Sequence, residues 1–170
     1  MNKAVFFDRD GVINHDPGDY TYHIREFKLN EGIIDKMKKL YDKGFLWIVI
    51  TNQGGISKKL YTHQDVEEIH QHLSDELNKV GVKLSEVYYC PHHSINENCI
   101  CRKPNSLMIE KALSRFNIDP KQSYMIGDKV RDVEAAENAG IKGIKVGVNE
   151  NIEKYINQIL NSKSQNSNSN

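Results

Sequence analysis

Five short apolar runs, each ended by a cluster of polar residues, constrain this chain more than any other feature. They are KAVFF (3–7), FLWIVI (45–50), EVYYC (86–90), SYMIG (123–127) and GIKGIKV (140–146). Their apolar residues are continuous rather than alternating, the pattern of strands covered on both faces. Helical periodicity fills the gaps. Residues 31–43 place Ile33, Ile34, Met37, Leu40 and Tyr41 on one face and stop at Gly44. Residues 63–80 gather Val66, Ile69, Leu73, Leu77 and Val80, with Thr62 as N-cap and Gly81 beyond the end. Residues 106–117 carry Leu107, Leu113 and Phe116, and residues 131–139 form a short helix before Gly140. Strands alternating with helices of this length predict an α/β fold built on a doubly wound parallel sheet.

The chain of 170 residues suits one domain. That domain is expected over residues 1–160. The polar stretch NSKSQNSNSN (161–170) holds too little apolar surface for a core and is expected to be a flexible tail. Lys+Arg and Asp+Glu both number 23, so the formal net charge is zero. That balance argues against bulk electrostatic binding to nucleic acid or to an anionic membrane. No apolar run approaches bilayer length, and no signal-type segment opens the sequence. The expectation is a cytoplasmic monomer that acts on a small molecule.

In open parallel sheets, ligands gather at the carboxyl ends of the strands. Asp8 and Asp10 follow the first run, and Thr51, Asn52, Gln53 and Gly54 follow the second. Arg102 and Lys103 come soon after the third, and Asp128, Lys129 and Asp132 follow the fourth. Carboxylates, a hydroxyl and a lysine at one edge suit phosphoryl transfer. An ionised aspartate is a nucleophile without a neighbouring base. Several carboxylates beside a phosphate dianion need a hard divalent cation, for which Mg²⁺ is the usual choice. A lysine and a threonine can hold the remaining phosphoryl oxygens. On extended backbone Asp8 and Asp10 point the same way, so one can attack while the other handles the leaving-group proton.

DRDG (8–11), TNQ (51–53), RKP (102–104) and GDKVRD (127–132), in this order, resemble the four motifs of the haloacid dehalogenase (HAD) superfamily of phosphatases. The resemblance covers residues 3–148. It implies Asp8 as nucleophile and Mg²⁺ ligand, and Asp10 as general acid/base whose backbone carbonyl also meets the metal. It further implies Thr51 and Lys103 on the phosphoryl group, Asp128 as the third protein ligand, and Asp132 one layer behind. A lone Asp-x-Asp is common in loops; four motifs in order, each after a strand-like run, are not.

All three cysteines fall within CPHHSINENCIC (90–101). Cys90, His92, Cys99 and Cys101 have the donor set of a closed tetrahedral Zn²⁺ site, and the absence of Cys-x-x-Cys argues against redox chemistry. A structural zinc would order a polar loop and fix Arg102 and Lys103, which follow the last ligand. His92 is preferred over His93 because its spacing from Cys90 puts both on one side.

Within the superfamily this zinc loop resembles two cap-free branches, the heptose-bisphosphate phosphatases and the histidinol-phosphate phosphatases. The segment PGDYTYHIREF (17–27) and TNQGGI (51–56) resemble the first more closely, while the short zinc loop resembles the second. The resemblance implies removal of the 7-phosphate of D-glycero-D-manno-heptose 1,7-bisphosphate, with histidinol phosphate as the alternative substrate. A zinc-stabilised binding module without activity is the distant third reading. Asp16, Gly18, Asp19, Tyr20, Asn52, Gln53, Gly54, Arg102 and Lys129 are the expected substrate contacts. Arg102 is suited to gripping a second, non-reacting phosphate. His15, His23, His63, His70 and His72 are expected to be solvated or half-buried. KMKKL (36–40) is expected to be a solvated helix flank, and Trp47 core.

Overall fold

The structure, a computed structural model, describes residues 1–162. Strands β1 (Lys3–Phe7), β2 (Phe45–Asn52), β3 (Glu86–Cys90), β4 (Tyr124–Gly127) and β5 (Lys142–Lys145) form one sheet in the order β3-β2-β1-β4-β5. Every pairing is parallel, and Val5 of β1 lies opposite Trp47 on one side and Tyr124 on the other. The chain builds outward from β1 to β3, then crosses back to β4. The switch point therefore lies at the carboxyl end of β1, where ligands of such sheets bind.

Successive strand residues point to opposite faces, and helices cover both. Val5, Phe7, Trp47 and Val49 pack with α1 (Ile33–Asp42), α2 (His63–Asn78) and α5 (Glu153–Asn161). Ala4, Phe6, Ile48 and Ile50 pack with α3 (Leu107–Arg115) and α4 (Val130–Asn138). This explains the continuous apolar runs of the inner strands β1 and β2, where all of Ala4–Phe7 and Phe45–Ile50 except Leu46 is buried; β3 and β5, at the sheet edges, are more exposed than the sequence pattern suggested. Thr62 caps α2 in a reciprocal box with Asp65, and Gly44 and Gly81 take the left-handed conformation that ends α1 and α2. Between Asp10 and β2 the described chain forms a loop, a 3₁₀ turn (Ile24–Glu26) and α1, with no inserted cap. No helix is long and apolar enough to cross a membrane.

The structure departs from the sequence expectations in several places. Helix α5 buries Ile156 and Ile159 against the sheet and runs to Asn161, the first residue of the expected tail; the rest of that tail, from residue 163, lies outside the described residues. Helix α3 buries Met108, Ile109 and Ala112, leaving Leu113 and Phe116 at the margin. Val80 falls beyond the end of α2 and is exposed. Lys36, expected on a solvated flank, is buried, and its Nζ donates to the Glu31 carbonyl at 2.6 Å.

His70 is buried on α2, with Nε2 lacking a hydrogen-bond partner. Burial, together with the Arg9 charge, pushes its pKa down to about 3. The unfolded chain then binds a proton here that the folded chain refuses. Stability from this group is full above the ordinary histidine pKa of 6.5 and is lost as pH falls toward about 3. Between pH ~7 and ~5 the loss is about 2 kcal/mol. Urea unfolding of wild type and His70→Gln at both pH values checks this: the variant's drop is expected to be smaller by that amount, and equal drops contradict it.

Candidate active site

The residues after β1 enter the carboxyl edge of the sheet, where the Asp8 amide continues the ladder by donating to the Ile126 carbonyl at 2.9 Å. Asp8 is 5% exposed. Its Oδ1 accepts from the Arg9 amide at 2.8 Å and lies 2.9 Å from Lys103 Nζ. Lys103 Nζ also donates to the Ile50 carbonyl at 2.7 Å and meets Asp132 Oδ1 at 2.7 Å. The ammonium thus lies among three oxygens, two of them carboxylate. Asn52 fixes the backbone beneath it: its side chain accepts from the Lys103 amide at 3.0 Å and donates to the Lys103 carbonyl at 3.1 Å. Asp132 is fully buried, and its second oxygen accepts from the Lys129 amide at 2.9 Å.

Burial opposes the Lys103 charge, but Asp8 and Asp132 outweigh it and hold the ammonium pKa above its ordinary value. Asp8 goes the other way. Burial, aided by Asp132 and Asp10 and opposed by Lys103, pushes its carboxyl up to about 7. The buried site by itself therefore works against the ionised form of the nucleophile. Asp128 lies nearby. Its Oδ1 is buried without a hydrogen-bond partner, and its Oδ2 is 2.7 Å from Lys129 Nζ. Gly11, at φ +85°, presses against it; a Cβ there would stand 2.8 Å from Asp128 Oδ2. Carboxylate oxygens of Asp8, Asp128 and Asp132 lie within 4.8 Å of one another. With Asp132 held by Lys103, Asp8 and Asp128 are the pair available to a hard cation, and the orphaned oxygen and the raised Asp8 pKa both fit one.

Asp10 is held by a different set. Arg9, fully buried, places Nε 3.2 Å and Nη2 3.0 Å from Asp10 Oδ1, and Nη2 3.0 Å from Oδ2. Arg9 Nη2 also donates to the Thr21 carbonyl at 2.8 Å, tying the loop after β1 to the site. Asn14 donates to Asp10 Oδ1 at 3.0 Å, and Gln53 Nε2 to Oδ2 at 3.0 Å. Burial works against this charge, but Arg9, Asn14 and Gln53 hold the carboxyl below its usual range. Arg9, Asn14 and Tyr61 were missed in the sequence. The only local signal was an arginine between two aspartates at a strand end.

Gln53 sits behind the catalytic groups. Its side chain is buried, and Nε2 donates to Thr51 Oγ1 at 2.9 Å as well as to Asp10. Tyr61 Oη donates to Gln53 Oε1 at 2.8 Å, which fixes which way the amide points. Tyr61 is clamped in turn: Tyr22 stacks on it at 5.1 Å between centroids, and a Cβ on Gly55 would fall 2.1 Å from its ring. Because Thr51 Oγ1 accepts from Gln53, its own proton is free for a ligand.

A cavity of about 440 Å³ opens beside Asp10. Asp16, Gly18, Asp19 and Tyr20 line it together with Asn52, and Lys129 and Arg131 complete the wall. Gly54 and Arg102 meet each other at the cysteine loop instead, where Arg102 Nη1 donates to the His92 carbonyl at 2.8 Å. In that loop Cys90 Sγ lies 3.3 Å from Cys101 Sγ, 3.7 Å from Cys99 Sγ and 3.5 Å from His92 Nδ1. Sulfur atoms on a tetrahedron around Zn²⁺ stand about 3.8 Å apart, so the donors fit such an ion. Burial and neighbouring thiols push the Cys90 pKa up, as expected of a thiolate site that needs its cation. His93 points elsewhere and accepts from the Ile95 amide at 3.2 Å.

A lysine shared by two carboxylates, with a threonine hydroxyl and a second acidic pair at one sheet edge, is what the HAD resemblance leads one to expect. The HAD-hydrolase-like family model matches residues 100–158, which contain Lys103, Asp128 and Asp132. The chain is a HAD-type phosphatase. Closer relatives narrow this. The D-glycero-beta-D-manno-heptose-1,7-bisphosphate 7-phosphatase of Haemophilus ducreyi is 42% identical over 146 residues, covering 82% of this chain and 80% of that protein. The Helicobacter pylori protein of the same name is 42% identical over 142 residues, covering 83% and 81%. The chain belongs to this heptose-1,7-bisphosphate 7-phosphatase family. Its fold matches the crystal structure of D,D-heptose 1,7-bisphosphate phosphatase from B. bronchiseptica, complexed with magnesium and phosphate, with a TM-score of 0.87 and 24% identity; the match covers 95% of this chain and 99% of that one.

If Tyr61 sets the Gln53 amide, Tyr61→Phe leaves it free to turn its oxygen toward Asp10. Losing that orientation is expected to lower kcat about tenfold while KM moves less than about twofold. Steady-state kinetics that show an unchanged kcat contradict it.

Proposed function

We propose that this chain removes the 7-phosphate of D-glycero-D-manno-heptose 1,7-bisphosphate through an aspartyl-phosphate on Asp8. The observation that carries the reading is the buried Asp8–Lys103–Asp132 contact beside the unpartnered oxygen of Asp128. Mg²⁺ held by Asp8, Asp128 and the Asp10 backbone carbonyl would neutralise the phosphoryl oxygens and the carboxylates around them. The Asp8 carboxylate attacks phosphorus, and the bond to the sugar oxygen breaks. Asp10 gives a proton to that oxygen, then takes one from the water that cleaves the aspartyl-phosphate. Approach of the phosphate dianion raises the Asp10 pKa from its low resting value, so the group can carry that proton when it is needed. Thr51 and Lys103 hold the phosphoryl oxygens. Asp16, Gly18, Asp19, Tyr20, Asn52 and Lys129 face the sugar. Gln53 acts from behind Asp10 and Thr51, and Cys90, His92, Cys99 and Cys101 would hold Zn²⁺, which would anchor the loop that leads into Arg102 and Lys103 and against which Gly54 packs.

The names of the relatives support a heptose bisphosphate as substrate and do not favour histidinol phosphate. The test is phosphate release with Mg²⁺ from heptose 1,7-bisphosphate, histidinol phosphate and a 3′-phosphorylated oligonucleotide. The bisphosphate is expected to lead in kcat/KM by about 100-fold or more. Asp8→Asn is expected to reduce turnover to background, because an amide is not a competent nucleophile. A lead for histidinol phosphate overturns the substrate, and near-wild-type activity of Asp8→Asn overturns the mechanism.

A further inference from the structure

A bisphosphate carries a phosphate that does not react, and that group needs a cation away from Asp8. The cavity lined by the substrate loop meets the reacting centre at Asp10, while Asp8, Thr51 and Lys103 are absent from its wall. Two cations stand in that wall, Lys129 and Arg131. Lys129 is committed: its Nζ is 2.7 Å from Asp128 and 3.9 Å from Asp16. Arg131 is not. No carboxylate among the described residues lies within 4.0 Å of it, and its Nε is buried without a hydrogen-bond partner. A buried N–H on a charged group without an acceptor is unfavourable, and an acceptor arriving with a ligand relieves it. Arg102, the residue the sequence suggested for this task, already gives Nη1 to the His92 carbonyl on the cysteine loop.

The remaining wall residues leave the anion to Arg131. Asp16 and Asp19 each accept from a backbone amide, that of Gly18 at 2.8 Å and that of Tyr20 at 2.7 Å. Carboxylates held in this way suit sugar hydroxyls and repel phosphate. Arg131 lies in the first turn of α4, whose amide dipoles also favour negative charge nearby. A guanidinium offers paired N–H groups at the spacing of two phosphate oxygens.

We propose that Arg131 is a specificity-determining residue that binds the non-reacting phosphate of the substrate. The proposal rests on the bisphosphate reading above. It assigns a substrate contact to the basic residue inside GDKVRD, next to Asp132 in the chain but outside the reacting centre.

The test compares two substrates that differ only in the second phosphate: heptose 1,7-bisphosphate and heptose 7-phosphate. The readout is the ratio of their kcat/KM values, which cancels any general loss of activity or folding. Wild type is expected to favour the bisphosphate. In Arg131→Gln that preference is expected to shrink by about 10- to 100-fold, mainly through KM, and Arg131→Lys is expected to restore part of it. Arg102→Gln is measured alongside. A wild-type enzyme that discriminates, with Arg131→Gln discriminating equally, overturns the Arg131 assignment alone. If the preference disappears only in Arg102→Gln, the role belongs to Arg102. A wild-type enzyme indifferent to the second phosphate overturns both this proposal and the bisphosphate reading.

Discussion

The site is organised by one buried ammonium, Lys103 Nζ, held between Asp8 and Asp132 and against the Ile50 carbonyl. Removing a charge from water is costly unless it is paired and hydrogen-bonded. Lys103 meets that condition only because several elements converge on it. The end of β1 brings Asp8, β2 brings Ile50 and Asn52, and α4 brings Asp132. The same convergence leaves the carboxylates in excess over the lysine. Burial among them pushes the Asp8 pKa up, and Asp128 is left with an oxygen without a partner. A divalent cation would resolve both, so the packing of the sheet edge is the physical basis of the proposed metal dependence.

Around Asp10 the logic is reversed. Arg9, Asn14 and Gln53 supply donors to its carboxylate, and its pKa is held low. Two carboxyls two residues apart thus sit in opposite environments, one pushed up by burial among other carboxylates and one held low by the donors around it. Separated pKa values of this kind let neighbouring acids take different roles. The Tyr61–Gln53 link extends the support to the aromatic stack of Tyr22 and Tyr20, hence to the loop that lines the cavity.

Much of this was legible in the sequence because the governing signals are local. The β1 and β2 runs read correctly because burial on both faces leaves Ala4–Phe7 and Phe45–Ile50 without a polar residue, and the acidic and basic residues that follow mark the carboxyl edge. The grouping of Cys90, His92, Cys99 and Cys101 was legible because their spacing is itself the signal, and the structure brings the four donors together. What escaped notice depends on partners distant in sequence. Gln53 reads as a wall residue until Tyr61 is seen donating to it. Arg9 has no role in the sequence pattern until the Thr21 carbonyl and both Asp10 oxygens are seen to enclose it. Helix α5 was obscured by the polar tail after it, although Ile152, Ile156 and Ile159 carry its buried face. Lys36 is buried because its reach to the Glu31 carbonyl satisfies the ammonium, which periodicity alone does not reveal.

The central claim is that the fold leaves Asp8 reluctant to ionise until a divalent cation arrives. Carbon-13 NMR of the aspartate carboxyls, titrated with and without Mg²⁺ and assigned through Asp8→Asn, measures this directly. The account predicts an Asp8 midpoint of about 7 in the metal-free protein and a fall of at least about two units when Mg²⁺ is bound. A midpoint at the ordinary aspartate value without metal, or one that Mg²⁺ leaves unmoved, contradicts it.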